Sequence, residues 1–143
     1  MATVAAADAG RRAVTSAEGA VRARALDLLA RDDALAAMMH GVFDGVPPRA
    51  SAPYAMVAGA EGRDWGTKDR AGREVRLTLV LVGVGGAMED GAAGCIERVV
   101  AAMRGTAGGW NIVGARTIRT RFGFGREGGW RHEIVVRCRC LAA

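Results

Sequence analysis

The sequence predicts an α+β fold, a two-layer sandwich in the order α-β-β-α-β-β with a mostly antiparallel four-stranded sheet and two helices on one face. Three observations support this prediction: a strand pattern over residues 73–83, apolar residues at helical spacing on both sides of it, and a glycine-rich turn at residues 125–129 between two further strand patterns. The length of 143 residues suits one domain. We expect a single domain over residues 16–143 and a flexible, Ala-rich N-terminal arm over residues 1–15.

The first helix is predicted to begin at Thr15, because residues 15–18 read T-S-A-E, a capping box with Thr15 as N-cap and Glu18 three positions later. Pro47 and Pro48 exclude a helix further on, and a short strand is expected at residues 54–59. The apolar face of the first helix consists of Val21, Ala25, Leu28 and Leu29.

The clearest strand covers residues 73–83, and its second face becomes apolar toward its end, which predicts a central position in the sheet. A second helix is expected over about residues 87–103. Strands at residues 110–124 and 130–141 complete the sheet. The alternating apolar positions of the clearest strand are Val75, Leu77, Leu79 and Leu81, and the buried stripe of the second helix is Ala92, Ile96, Val99, Val100 and Met103.

The net charge of +5 is concentrated near the C-terminus, because residues 116–143 hold seven arginines against Glu127 and Glu133. The strand periodicity directs Ile118, Thr120 and Phe122 toward the helices and Thr117 away from them. It places four arginines together on the face away from the helices: Arg119, Arg121, Arg137 and Arg139. Three interpretations remain open for this basic face: a solvated surface, a contact with an acidic partner chain, or a contact with nucleic acid. No recognition motif or aromatic stacking platform accompanies the arginines, which disfavours the third.

A polar segment between the second and third predicted elements, residues 61–72, reads as a long hairpin loop or β-arm. It mixes both signs of charge around one tryptophan, and tryptophan in a polar loop is typical of interface anchors. The alternative is that Trp65 folds back onto the core. The predicted partner-contact residues of this arm are Arg63, Asp64, Trp65, Lys68 and Arg70.

The three cysteines, Cys95, Cys138 and Cys140, are predicted to be buried free thiols. The number of cysteines is odd, and the N-terminus has no signal-peptide pattern. Together these two observations indicate a protein that resides in a reducing compartment. Two cysteines in a C-x-C spacing do not make a zinc site. No run of 18 uncharged apolar residues occurs, which excludes a membrane-spanning helix and argues against a membrane partner.

No motif predicts an active site, so the sequence favours a protein that is not an enzyme and has no cofactor or metal. The G-V-G-G-A-M segment at residues 83–88 lacks the third glycine of a dinucleotide-binding turn, and no acidic residue follows at the required distance. Lys68 is the only lysine, and it does not lie in a phosphate-binding loop. A Ser-His-Asp triad would have to use Ser16 or Ser51, and neither lies in a nucleophile elbow.

Three short stretches together resemble a known family. They are V-F-D-G-V-P at residues 42–47, A-P-Y at residues 52–54, and D-W-G-T-K at residues 64–68 leading into R-L-T-L at residues 76–79. This pattern is similar to the DUF3168 family of small phage-type tail proteins, whose arrangement resembles the tail terminators of long-tailed phages and gene transfer agents. The resemblance covers roughly residues 18–141, and its motifs are structural.

The resemblance implies a structural protein that is made in the bacterial cytoplasm and assembled at the tail–head junction of a phage-like particle. Such a protein forms a homo-hexameric ring that ends tube growth and offers a docking surface to the head-side connector. Its partners would be copies of itself, the tail tube protein and the connector or stopper protein. DNA would meet it only in passing through the channel. The alternative is another neck or head-completion protein, a stopper or an adaptor, of the same particle.

Overall fold

The computed structural model describes residues 15–85, 90–125 and 128–143. Its helices are α1 (Ala17–Arg31), α2 (Asp33–Met38) and α3 (Asp90–Ala101), and its strands are β1 (Val42–Asp44), β2 (Tyr54–Asp64), β3 (Gly72–Gly83), β4 (Gly105–Ala107), β5 (Trp110–Phe124) and β6 (Trp130–Ala142). The strands form one sheet in the order β1-β2-β3-β6-β5-β4. The β1–β2 pair is parallel and the other pairs are antiparallel.

The predicted α+β sandwich with a four-stranded, mostly antiparallel sheet and two helices is wrong. The described chain is mostly β, with a six-stranded mixed sheet curled into a half-barrel and three short helices. The two missed strands, β1 and β4, are three residues long and lie at the edges of the sheet. Three residues are too few to show a period of two, so their pairing is set by the tertiary structure. The third helix, α2, is six residues long, and the Asp32 carboxylate caps it by accepting from the Leu35 N–H at 3.0 Å.

The first helix is capped by Ser16, one residue after the predicted N-cap. The Ser16 Oγ accepts a hydrogen bond from the Gly19 N–H at 3.0 Å. Glu18, predicted to close the capping box, instead binds Arg73 of β3, with Nη2 and Oε2 3.1 Å apart. This ion pair ties the first turn of α1 to the sheet. Of the predicted N-terminal arm, only Thr15 lies among the described residues.

Buried side chains of the helices and of one sheet face form a single core. The predicted helix stripe is confirmed, because Ala92, Ile96, Val99, Val100 and Met103 are all buried. The predicted alternation in β3 is also confirmed, because Val75, Leu77, Leu79 and Leu81 are at most 2% exposed and belong to the same core. Residues at the alternate positions of β3 therefore lie on the opposite sheet face, which we call the outer face.

The three cysteines are free and buried, as predicted. Burial raises the pKa of the Cys138 thiol to about 12 and that of Cys140 to about 11. These thiols therefore pack as small apolar side chains and are protonated at neutral pH.

The register of β5 shifts twice, between Ile112 and Gly114 and again between Thr117 and Arg119. N-terminal to the second bulge, the residues of β5 that face the core side are the opposite of those predicted. Thr117, predicted to point away from the helices, lies opposite Val136, a residue of the core. A bulge inserts one residue into a strand, so the alternation on one side of it is out of phase with the other side.

Candidate interaction surface

The arm predicted at residues 61–72 consists mostly of strand. β2 continues to Asp64 and β3 starts at Gly72, so the connection is only residues 65–71, which we call the arm loop. Two backbone hydrogen bonds of 2.9 Å close it, from Trp65 N to Gly72 O and from Thr67 N to Arg70 O. A Cβ at Gly72 would lie 2.9 Å from the Trp65 carbonyl oxygen, so this close approach requires glycine.

The predicted contact residues of the arm divide into two groups. Asp64, Lys68 and Arg70 are exposed on the arm itself. Trp65 is half-buried, and the Arg139 guanidinium carbon lies 5.2 Å from the centroid of its ring. This is cation–π distance, so the tryptophan packs against an arginine of the predicted basic face.

A buried glutamate joins the arm to the basic face. Glu74 of β3 is 2% exposed, and its Oε2 lies 3.0 Å from Arg63 Nη2 while its Oε1 lies 3.4 Å from Arg139 Nε. We call Arg63, Trp65, Glu74 and Arg139 the clasp. It makes the two surfaces predicted from the sequence one continuous surface. Glu74 was missed because a polar residue at an alternate strand position carries no signal that it will be buried.

The clasp keeps Glu74 ionised. Burial by itself raises the pKa of this carboxyl, but the hydrogen bonds and charges of Arg63 and Arg139 outweigh that effect and hold the pKa below its usual value of 4.5. At neutral pH, one carboxylate therefore lies between two guanidinium groups.

The four predicted face arginines lie on the outer face, but two of them have carboxylates nearby. Arg139 is bound by Glu74, and Arg121 lies directly opposite Glu133 on β6, although the Glu133 carboxylate is bound by Arg131. Arg119 lies opposite Val135 and next to an open depression of about 520 Å³.

Arg137 lies between two further arginines that the strand periodicity did not predict for this face. In the sheet register, Arg76 of β3 is directly opposite Arg137 of β6, which is directly opposite Arg116 of β5. We call these three residues the arginine row. Arg116 joins the row because the bulge at Ile118 changes the phase of β5, so that Arg116 and Arg119 share a face although they are three residues apart. Only the observed register reveals this arrangement.

The β5–β6 hairpin extends the sheet with an aromatic cluster near its turn. Phe122 packs at centroid distances of 5.1 Å from Phe124 and 6.0 Å from Trp130 and from His132. Trp130 lies over Gly83, where a Cβ would be 2.0 Å from its ring. Burial lowers the pKa of His132 below its usual value, so this histidine is neutral at pH 7. Phe124 remains 62% exposed, so the hairpin end presents an apolar side chain to solvent.

The family model of tail completion protein gp17 matches residues 19–142. The chain belongs to this family. The prediction of a phage-tail structural protein is confirmed at that level. The match covers α1 from Gly19 onward, the whole sheet, the clasp and the arginine row.

The fold of this tail completion chain is similar to a chain in a solved structure described as the virion of a native gene transfer agent particle. The TM-score is 0.72 at 23% identity, and the match covers 87% of this chain and 96% of that chain. A search of curated protein sequences gave no significant match.

Membership of a structural family favours a non-enzymatic role. One Ser-His pair is present, since His40 Nδ1 lies 3.0 Å from Ser51 Oγ. Both residues are exposed, and among the described residues no carboxylate is hydrogen-bonded to the histidine, as a triad requires. The described ranges contain no group of three or more His, Cys, Asp or Glu side chains that could hold a metal ion. In the same ranges, no helix is both long and apolar enough to cross a membrane.

Proposed function

We propose that this chain is the tail terminator of a phage-like particle and a DUF3168-type protein. It forms a hexameric ring on the end of the tail tube, stops tube polymerisation and provides the docking surface for the head-side connector. The observation that carries the proposal is the match to the tail completion family over residues 19–142. The chain is made in the bacterial cytoplasm and becomes part of the tail–head junction.

Ring formation requires two different contact patches on each subunit, because identical subunits in a closed ring meet through a heterologous interface. The sheet offers two candidates at its opposite sides. β4 covers β5 only at Trp110, Asn111 and Ile112, so in the described chain the far edge of residues 113–124 has no neighbour. On the other side, β1 covers β2 only at residues 55–57, so within the described ranges the edge of residues 59–64 has no strand neighbour.

Uncovered strand edges present unpaired backbone N–H and C=O groups to a neighbour. The β5 edge is long enough to pair with a strand of another subunit, and Arg116, Arg119 and Arg121 along it protect the free monomer from uncontrolled edge pairing. The exposed arm residues lie at the opposite side of the sheet. These features support a ring in which the β5 edge of one subunit meets the β2 edge and the arm of the next.

The proposal is tested by polymerising purified tail tube protein with increasing amounts of this chain. A terminator shortens the tubes in proportion to its concentration and appears on one tube end only, and native mass spectrometry of the capped ends gives six copies. A stopper or adaptor on the head side of the neck leaves tube length unchanged. That result would replace the terminator assignment with the second one.

A further inference from the structure

The arginine row carries positive charge that no carboxylate of the described chain neutralises. Within residues 15–85, 90–125 and 128–143, none of its three guanidinium groups lies within 4 Å of an acidic side chain. Glu61 of β2 is opposite Arg76, on the side away from Arg137, and forms no ion pair with it. Arg76 and Arg116 are exposed and Arg137 is half-buried.

Directly opposed like charges destabilise a sheet, and an external anion relieves that repulsion. Neighbouring strands are about 4.8 Å apart, so the three Cα atoms of the row span about 10 Å. Arg119 adds a fourth cation beside the row, at the edge of the 520 Å³ depression that Arg76 and Thr78 also line. The ligand of this surface is therefore an extended polyanion, since a single carboxylate would neutralise only one member.

We propose that the arginine row binds the phosphate backbone of double-stranded DNA without sequence preference. The proposal goes beyond the proposed function, because capping a tube requires only contacts between proteins.

Two features favour DNA over an acidic protein. Arginine is also common in protein–protein interfaces, but three directly opposed arginines without a paired carboxylate in the described ranges match the strongly positive character of protein–DNA interfaces. Each DNA strand carries one phosphate per ~3.4 Å of helix axis, so a row of about 10 Å faces about three phosphates. Arginine binds phosphate oxygens through two parallel N–H donors, which suits backbone contacts that carry no sequence information.

The clasp and its surroundings do not belong to this site. Arg139 is engaged by Glu74, and Arg121 lies outside the row, opposite Glu133, whose carboxylate is bound by Arg131. The proposed site therefore consists of Arg76, Arg116 and Arg137, which lie in one row across β3, β6 and β5.

The test measures fluorescence anisotropy of a labelled 20-base-pair duplex with the full chain between 50 and 200 mM NaCl. Two triple variants lose the same charge: R76Q/R116Q/R137Q in the row, and R31Q/R49Q/R104Q at exposed arginines elsewhere. Circular dichroism confirms that both variants are folded. The lysine variant R76K/R116K/R137K keeps the charge and is measured alongside them.

The row variant is expected to bind DNA at least about tenfold more weakly, and the slope of log K against log salt to decrease by about 2 to 3. The control variant should change affinity by less than about twofold, and the lysine variant should retain most of the binding, because charge supplies non-specific affinity. An equal loss in both glutamine variants would overturn the proposal, since binding would then follow net charge alone. Absence of DNA binding by the wild-type chain at 50 mM NaCl would also overturn it, as would binding of poly-glutamate in place of DNA.

Discussion

Replacing Glu74 by glutamine tests whether the clasp is held by charge. The substitution keeps the shape of the side chain but removes the carboxylate that accepts from Arg63 at 3.0 Å and from Arg139 at 3.4 Å. Hydrogen bonds to charged groups contribute about 1.5–3 kcal/mol each when buried. Here the arginines are 70% and 39% exposed and the second contact is long, so solvent screening reduces the effect. We expect E74Q to lower the free energy of unfolding at pH 7 by about 1–2 kcal/mol.

The pH dependence of this loss separates charge from packing. A carboxyl whose pKa is lowered in the folded state stabilises the fold fully above its unfolded pKa, which is 4.5 for Glu74. That stabilisation is lost as the pH falls through the folded pKa. The difference between wild type and E74Q should therefore be constant from pH 8 to about pH 5.5 and shrink steadily below pH 4.5.

The assay is urea and thermal unfolding followed by tryptophan fluorescence at pH 7, 5.5 and 4. For 143 residues, 1 kcal/mol corresponds to about 3 °C in Tm, so E74Q should melt about 3–6 °C below wild type at pH 7. The matched control is E61Q, an exposed glutamate on β2, which should change stability by less than about 0.5 kcal/mol. Equal stability of E74Q and E61Q, or a loss for E74Q that is as large at pH 4 as at pH 7, would refute the charge-held clasp.

Three further predictions concern assembly, packing and thiol chemistry. Charge reversal in R119E/R121E should block particle assembly and leave the monomer folded, as seen by electron microscopy and circular dichroism. Gly83→Ala should cost about 1–3 kcal/mol in urea unfolding, because its Cβ would lie 2.0 Å from the ring of Trp130, whereas Gly123→Ala, with open space around its Cβ, should be close to neutral. The two buried cysteines of β6, with thiol pKa values raised by burial to about 12 and about 11, should react with a disulfide reagent at pH 8 only after unfolding.

Each of these predictions has a clear contrary result. If particles that carry R119E/R121E are normal, the basic face does not contribute to the assembly contacts. Similar stability of the two glycine variants would mean that Trp130 moves away from Gly83 without cost. Rapid modification of the β6 thiols in the native protein would show that this part of the sheet opens.

Long elements are predictable from the sequence because they repeat their period several times. β3 shows its alternation over Val75 to Leu81, and α3 shows its buried stripe over three turns, so both sets of core residues follow from the pattern. The cysteine positions follow for the same reason, since Cys138 and Cys140 continue the inward face of β6.

Features that depend on register or on a single contact are not predictable in this way. The bulge at Ile118 decides that Arg116 joins Arg137, and a single sequence contains no mark of it. The contacts that surround Glu74 come from Arg63 and Arg139 on two other strands, and the edge strands β1 and β4 depend on longer neighbours that are already in place. The number of strands and the composition of the charged surface therefore come from the structure alone.

Termination of the tail tube is tested most directly by negative-stain electron microscopy of particles produced without this chain. We expect tubes of uncontrolled length beside heads that lack tails. Tails of normal length that are detached from heads would contradict termination and move the chain to the head side of the neck. Particles of normal appearance would contradict any part in completing the tail.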